Sequence, residues 1–345
     1  MGFDTLARQV LLAMHIPDGF LTVPVAALWW VFTLAGIAIA VRRVGGLSER
    51  QVPLMGVMAA FIFAAQMLNF PVLGGTSGHL LGGALAALLL GPYAAILVMA
   101  CVIGLQALLF QDGGLLALGA NIFNMGIATA LVGSWVGTAL LRAFGGKPWG
   151  LVAAGFVAAW LSVMVAATLT ALQLVLSGLS AAVVFPAMLF VHTFIGIGEG
   201  LITVAALAFV VATRPDLVTS LTGYLSPAET RRSMGRGTLV GITGVGLAIA
   251  LGLALLSPLA SSSPDGLERV AEDQGFLGRA IDHPFQILPD YTIPGLSGPA
   301  STIVAGVVGL LIVFALVYGV TLLVRGRAEG RAEATPPADR RTAGD

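Results

Sequence analysis

Apolar residues along this chain come in long unbroken runs, with polar residues confined to short stretches between them. The runs cover roughly 21–41, 53–70, 78–90, 93–111, 120–141, 151–177, 186–212, 237–257 and 301–324. Most are close to the about 20 residues that a helix needs to cross the hydrocarbon of a bilayer. The third run is short and is joined to the fourth only through Gly91-Pro92. It reads either as a short span or as a broken, re-entrant element, because Gly/Pro-interrupted segments expose backbone groups that must be satisfied inside the protein. The pattern predicts an all-α polytopic membrane protein with about nine transmembrane helices.

The charged residues give this bundle a direction. Arg42, Arg43 and Arg50 follow the first span, and Arg142 and Lys147 follow the fifth. Arg214, Arg231, Arg232 and Arg236 lie between the seventh and eighth, and Arg325, Arg327, Arg331, Arg340 and Arg341 follow the ninth. With nine spans all four groups fall on one side, which the positive-inside rule makes cytoplasmic. Only Arg8, Arg269 and Arg279 remain for the other face. The segment around 14–18 and the loops near 71–77, 111–119, 178–185 and 258–300 are then external. The last of these is acidic, with Asp265, Glu268, Glu272, Asp273, Asp282 and Asp290. Residues 213–236, with Pro215 and Pro227, read as a cytoplasmic linker, and 326–345 as a disordered cytoplasmic tail.

Composition narrows the chemistry. Charged residues make up 10% of the 345 residues against 57% hydrophobic, and the 17 basic residues balance 17 acidic ones. That excludes a water-soluble surface of this size and gives no signal for nucleic acid, leaving lipid as the surrounding partner. The single cysteine, Cys101, excludes a disulfide framework or a cysteine-cluster metal site and reads as a small buried hydrophobe. The chain has no H-E-x-x-H, Walker A loop, G-x-S-x-G or arginine-rich helix. ATP hydrolysis, if transport needs it, belongs to another polypeptide.

The polar residues inside the spans are few. Glu199 is the one carboxylate there, and an ionised group at mid-membrane costs about 2.5–3.5 kcal/mol on insertion scales. His192 lies two helical turns before it, on the same face. The two read either as a pathway pair or as interhelical hydrogen bonding beside the tight-packing Gly196 and Gly200. His79, in Gly78-His79-Leu80-Leu81-Gly82-Gly83, sits at the outer end of the third span among residues small enough to leave its imidazole facing a tight pocket. It reads either as a packing residue or as a ligand. His15 precedes the turn signal Pro17-Asp18-Gly19. His283, beside Pro284, reads as a solvated loop residue. Asn121 and Asn124 follow the external loop Gln111-Asp112-Gly113-Gly114 and are candidates to orient ligands at the level of His79. A zinc hydrolase built from His79, His192 and Glu199 would need three converging ligands and an open water position. A facilitator that works alone is a third possibility.

Two segments together make the pattern specific. Met14-His15-Ile16-Pro17-Asp18-Gly19-Phe20-Leu21 and Gly75-Thr76-Ser77-Gly78-His79-Leu80 resemble the metal-capturing membrane subunit of energy-coupling-factor nickel/cobalt transporters, the CbiM/NikM family. Gly119 to Met125 and His192 to Gly200 fit as well, so the likeness covers residues 14–212, as a seven-helix bundle. Further on, Ser263-Pro264-Asp265-Gly266-Leu267-Glu268 and Pro289 to Leu296 resemble the PDGLE-type accessory subunit, which crosses the membrane twice around an external loop. The chain thus looks like a fusion, with the accessory module over 237–325.

The resemblance implies a transport subunit rather than an enzyme, which captures Ni²⁺ or Co²⁺ outside a bacterial or archaeal cell membrane. It implies as partners a transmembrane coupling subunit and two ATP-binding cassette ATPases. It also implies a metal site of four nitrogens. These are the amine of Met14, the backbone nitrogen and imidazole of His15, and the imidazole of His79, with Asn121, Asn124, His192 and Glu199 orienting ligands or lining the pathway. Amine, deprotonated amide and imidazole on consecutive residues form fused chelate rings in a square plane, a field that suits Ni(II) or Cu(II). Thirteen residues precede Met14, so the implied amine requires that the chain start at Met14 or that residues 1–13 be removed.

Overall fold

The computed structural model describes residues 15–44, 47–221 and 236–334. Met14 and the extension before it, most of the linker and the end of the tail lie outside the described residues, as do Arg231, Arg232, Arg340 and Arg341.

The apolar runs become helices, as an apolar segment in lipid must if its backbone is to bond within itself. In chain order they are α1 (Val23–Arg43), α2 (Gln51–Gln66), α3 (Gly83–Leu90), α4 (Pro92–Leu105), α5 (Leu118–Asn121), α6 (Thr129–Ala143), α7 (Pro148–Leu176), α8 (Ala181–Thr213), α9 (Arg236–Leu256), α10 (Gly266–Asp273) and α11 (Pro299–Ala334). Helix α4 runs on through a π-helical stretch, Gln106–Phe110, and a second one, Ile122–Ala128, joins α5 to α6. Seven of the resulting rods are long and apolar enough to cross a membrane among the described residues, and α2 is a shorter apolar helix of 16 residues. The protein is an all-α, multi-pass membrane protein.

The run over 78–90 differs from an unbroken span. Only its second half is helical, the eight residues of α3, and its first half is extended. Before it, β1 (Phe70–Val72) and β2 (Thr76–Gly78) form a small antiparallel hairpin with Pro71 opposite Ser77. Gly82, at φ 84°, and Gly91, at φ 85°, bound α3 in a left-handed backbone that side-chain-bearing residues rarely adopt. Gly82, which read as making a tight pocket in the sequence, and Gly91, which read as a break, are therefore the two ends of the helical part of a broken segment.

Two regions of the bundle matter for the site. At one end the expected external loops meet in a shared apolar cluster. Ile16 and Phe20 of the N-terminal segment, Ala117 and Ala120, Leu174 of α7, Val184 and Met188 of α8, and Leu267, Val270 and Phe276 of the 258–300 loop pack together there. At the other end Arg325 of α11 pairs with Glu49 at 3.2 Å, and the Ser220 hydroxyl donates to Leu88 O at 2.7 Å. Helices α9 and α11 seat on α2 through glycine clefts: a Cβ at Gly56 would meet Phe314, and one at Gly246 would meet Val57. Close approach of this kind holds helices together where no hydrophobic drive separates them from lipid.

Candidate metal centre

His15 and His79, 64 residues apart in sequence, come together at the loop-rich end, with ring centroids 5.7 Å apart. Both are buried. They line a cavity of about 60 Å³ together with His192, Asn121, Asn124 and Leu267. A larger apolar groove of about 760 Å³ between α2, α8 and α9 shares no residue with it.

The His79 loop is held by its backbone. Glu199, fully buried on α8, accepts the N–H of Leu81 at 2.6 Å and of Gly82 at 2.9 Å. These amides lead into the N-terminus of α3, where free donors and the helix dipole stabilise a carboxylate. Gln66 donates to Leu81 O at 2.9 Å. Farther up, Ser77 N donates to Pro264 O at 2.8 Å and the Ser77 hydroxyl to Ser263 O at 2.8 Å. His79 Nδ1 lies 3.0 Å from Leu80 O. When Nδ1 carries the proton for this bond, Nε2 is the unprotonated ring nitrogen.

The His15 segment is held by side chains. Asn121 accepts from Ile16 N and donates to Ile16 O, both at 3.0 Å, so one amide clamps the residue after His15 at two points. Asp18 accepts three consecutive backbone N–H groups, Leu115, Leu116 and Ala117, at 2.9–3.0 Å, and so ties the segment to the start of α5. Gly19, at φ 90°, lies so close to Arg279 O that no Cβ fits, and Ile281 N donates to Asp18 O at 2.8 Å. The Pro17-Asp18-Gly19 turn is therefore a docking point for the 258–300 loop as well as a turn.

His15 Nδ1 itself meets Asp112 Oδ1 at 2.7 Å, and the Tyr291 hydroxyl donates to Asp112 Oδ2 at 2.7 Å. Burial pulls His15 towards the neutral form, but the charge and hydrogen bond of Asp112 outweigh it and hold the imidazole above its ordinary value. Burial likewise pushes Asp112 up, and His15 and the Tyr291 hydroxyl together bring it below the usual carboxylate range. Burial and the Asp112 charge raise Tyr291 well above an ordinary phenol. His15 Nε2 is buried without a hydrogen-bond partner.

The Pro264-Asp265-Gly266-Leu267-Glu268 signature has a local cause. Asp265 caps α10, accepting from Glu268 N at 2.7 Å, while the Glu268 side chain reaches back to Asp265 N. That is a capping box, which satisfies two free donors at a helix start. Gly266 packs against Ile195 and His192 of α8, and Leu267 closes the cavity.

Several sequence-based expectations change here. His192 and Glu199 share a face of α8 but do not pair: His192 donates from Nδ1 to Met188 O at 2.8 Å, and Glu199 is spent on the Leu81 and Gly82 amides. Asn124 lines the cavity but exchanges amide bonds with Gln173 at 2.8 Å rather than touching either ligand segment. His283 is not a solvated loop residue; its Nε2 donates to Gly113 O at 2.8 Å, beside the His15 segment. Asp112, Tyr291 and Asp18 were not singled out as site residues, although Gln111-Asp112-Gly113-Gly114 and Pro289-Asp290-Tyr291 carried a polar signal. Among the described residues no three His, Cys, Asp or Glu side chains gather closely enough to hold a metal ion. The zinc-hydrolase arrangement of His79, His192 and Glu199 is therefore not formed.

Known proteins share this organisation. Residues 15–217 match the family model described as the cobalt uptake substrate-specific transmembrane region, CbiM, and residues 240–326 match the PDGLE domain. The fused nickel transport protein NikMN of Archaeoglobus fulgidus is 36% identical over 319 residues, covering 90% of this chain and 99% of that one. The fused nickel transport protein LarMN of Lactiplantibacillus plantarum is 31% identical, covering 89% of this chain and 97% of the other. The crystal structure of a transition metal transporter is similar at 31% identity with a TM-score of 0.52, over 58% of this chain and 94% of that one. The chain belongs to the CbiM family, a family of transport proteins rather than enzymes, and carries in the same polypeptide a PDGLE domain.

Proposed function

We propose that this chain captures Ni²⁺ or Co²⁺ at the outer membrane face and delivers it inward as the substrate-binding subunit of an energy-coupling-factor transporter. The convergence of His15 and His79 on one small buried cavity carries this reading. The names of its relatives, nickel transport and cobalt transport proteins, support the cargo. The scarcity of side-chain donors fits a site completed by backbone nitrogens: the amine of Met14 and the amide of His15, with both imidazoles, form the square-planar set. Such a set requires Met14 to be the first residue of the working chain, which N-terminal sequencing of the membrane-extracted protein decides.

Nine crossings remain the reading of topology. The hairpin and extended residues 79–82 form the outer part of the third crossing and α3 the inner part. The apolar cluster joining the external loops, and the Arg325–Glu49 pair at the opposite end, suit a bundle with the residue 14 region outside and the C-terminus in the cytoplasm of a bacterial or archaeal cell. Residues 14–212 then act as the capture module, 213–236 as the linker and 237–325 as the accessory module, with its external loop over the site. A transmembrane coupling subunit and two ATP-binding cassette ATPases supply the energy. Uptake of nickel or cobalt by cells carrying this chain with and without a cognate ATPase tests the proposal. Accumulation should vanish without the ATPase, and unchanged accumulation would make the chain a facilitator that works alone.

A further inference from the structure

Among the described residues, three that are not glycine hold a positive φ: Gln111 at 57°, Asp290 at 49° and Tyr291 at 55°. All three belong to a single contact. Gln111 precedes Asp112, and Asp290 precedes the tyrosine whose hydroxyl Asp112 accepts. Around them, segment 283–291 is laid along residues 109–113. Leu288 N donates to Leu109 O at 3.0 Å, Ile287 N to Gln111 Oε1 at 3.2 Å, and the Tyr291 ring stacks on Phe110 at 4.7 Å. Strained backbone of this kind persists only where the surroundings over-determine it, and it gathers at clamps and switches.

The atom held at the end of this contact is His15 Nδ1. A chelate that runs from the His15 amide nitrogen through Cα, Cβ and Cγ closes on Nδ1, since Nε2 lies on the far side of the ring. One nitrogen cannot serve both a proton shared with a carboxylate and a metal ion. We infer that Tyr291, by holding Asp112 against His15, makes the docked 283–291 segment a competitor of the metal for Nδ1, so that the chelate closes only when this segment lifts. The inference rests on the amine–amide–imidazole reading above. Tyr291 touches no metal; it is a positioning residue acting through Asp112. Lifting the segment also relaxes Asp290 and Tyr291 out of their positive φ. Metal entry and segment movement are then one event, and re-docking returns Nδ1 to Asp112.

The test uses the purified full chain and Ni²⁺ alone. Nickel bound to a deprotonated amide in a square plane gives a visible band that an imidazole-only site lacks, so chelate closure can be followed by rapid-mixing absorbance. Tyr291→Phe keeps the ring that stacks on Phe110 and removes only the hydroxyl. Closure should be faster by roughly fivefold, on the scale of one lost hydrogen bond. Asp112→Asn should act in the same direction, and it provides the answer if Tyr291→Phe fails to fold by thermal melting. Slower or unchanged closure in the folded variants overturns the competition, and slower closure would make Asp112 an aid to the metal instead. A wild-type chain that takes nickel without the amide band overturns the chelate reading itself, a result separable from the first.

Discussion

The two histidines of the cavity are held in opposite ways. His79 rides on a loop fixed through its backbone, by Glu199 from within the bundle and by Pro264 from the PDGLE domain. His15 rides on a segment fixed by side chains, Asn121 and Asp112 from the 111–121 region and its own Asp18 reaching back to that region. Backbone pairing on both sides of His79 fixes the loop that carries its ring. Side-chain clamps can be released one at a time, so of the two proposed ligands His15 is the one expected to move. The PDGLE domain reaches both, through Pro264 on one side and Tyr291 on the other.

The comparison breaks most decisively if either proposed ligand is removed. His79→Ala and His15→Ala should each weaken Ni²⁺ or Co²⁺ binding by more than about 100-fold, beyond what loss of an outer partner costs, with the melting temperature little changed. Next comes the clamp on the movable side. Asn121→Ala leaves the N–H of Ile16 without that partner in a buried site, while its C=O keeps the Gly114 N–H, at about 1–3 kcal/mol, and should weaken metal binding roughly tenfold. Glu199→Gln should separate fold from function in the other direction. An amide replaces one of two acceptor oxygens with a donor facing an N–H, so melting in detergent should show a loss of about 1–3 kcal/mol while metal affinity changes less than in Asn121→Ala.

Acid sharpens the contrast between the two sides. The raised value of His15 means that a metal must displace a firmly held proton, so affinity should begin to fall on acidification above pH 6.5, by about tenfold per unit for each proton displaced. The metal-free pair runs the other way. With its folded value raised, His15 contributes stability that is complete below about 6.5 and lost as pH rises through the raised value. Calorimetric titrations across this range and melting curves of the metal-free chain should show the two opposite slopes. The smallest effect is expected for Ser77→Ala, which removes the hydroxyl contacts to Ser263 O and Pro264 O but keeps the backbone bond to Pro264. Metal binding should change by no more than a few-fold.

Much of this arrangement was legible in the sequence, because lipid imposes a simple rule on apolar runs. Each run became a helix or part of one, and the basic residues pointed to the end where His15 and His79 meet. The third run was legible only as an ambiguity, since the amides at its break, of Leu81 and Gly82, are held by Glu199, which is more than 100 residues away. His192 and Glu199 shared a helical face by spacing, yet each found a backbone partner that spacing does not reveal. Asp112 and Tyr291 were hidden for the same reason. A carboxylate in one loop and a tyrosine in another become a pair only when the PDGLE domain folds over the bundle, and no local pattern records that contact. The Pro264 to Glu268 signature, in contrast, has a local cause in its capping box and stands out on its own.

The central claim is that His15 and His79 share one metal ion. Calorimetric titration of the purified full-length chain with Ni²⁺, set beside His79→Ala, tests it most directly. One high-affinity equivalent in the wild type and none in the variant is the predicted result; equal binding by the two proteins would contradict it.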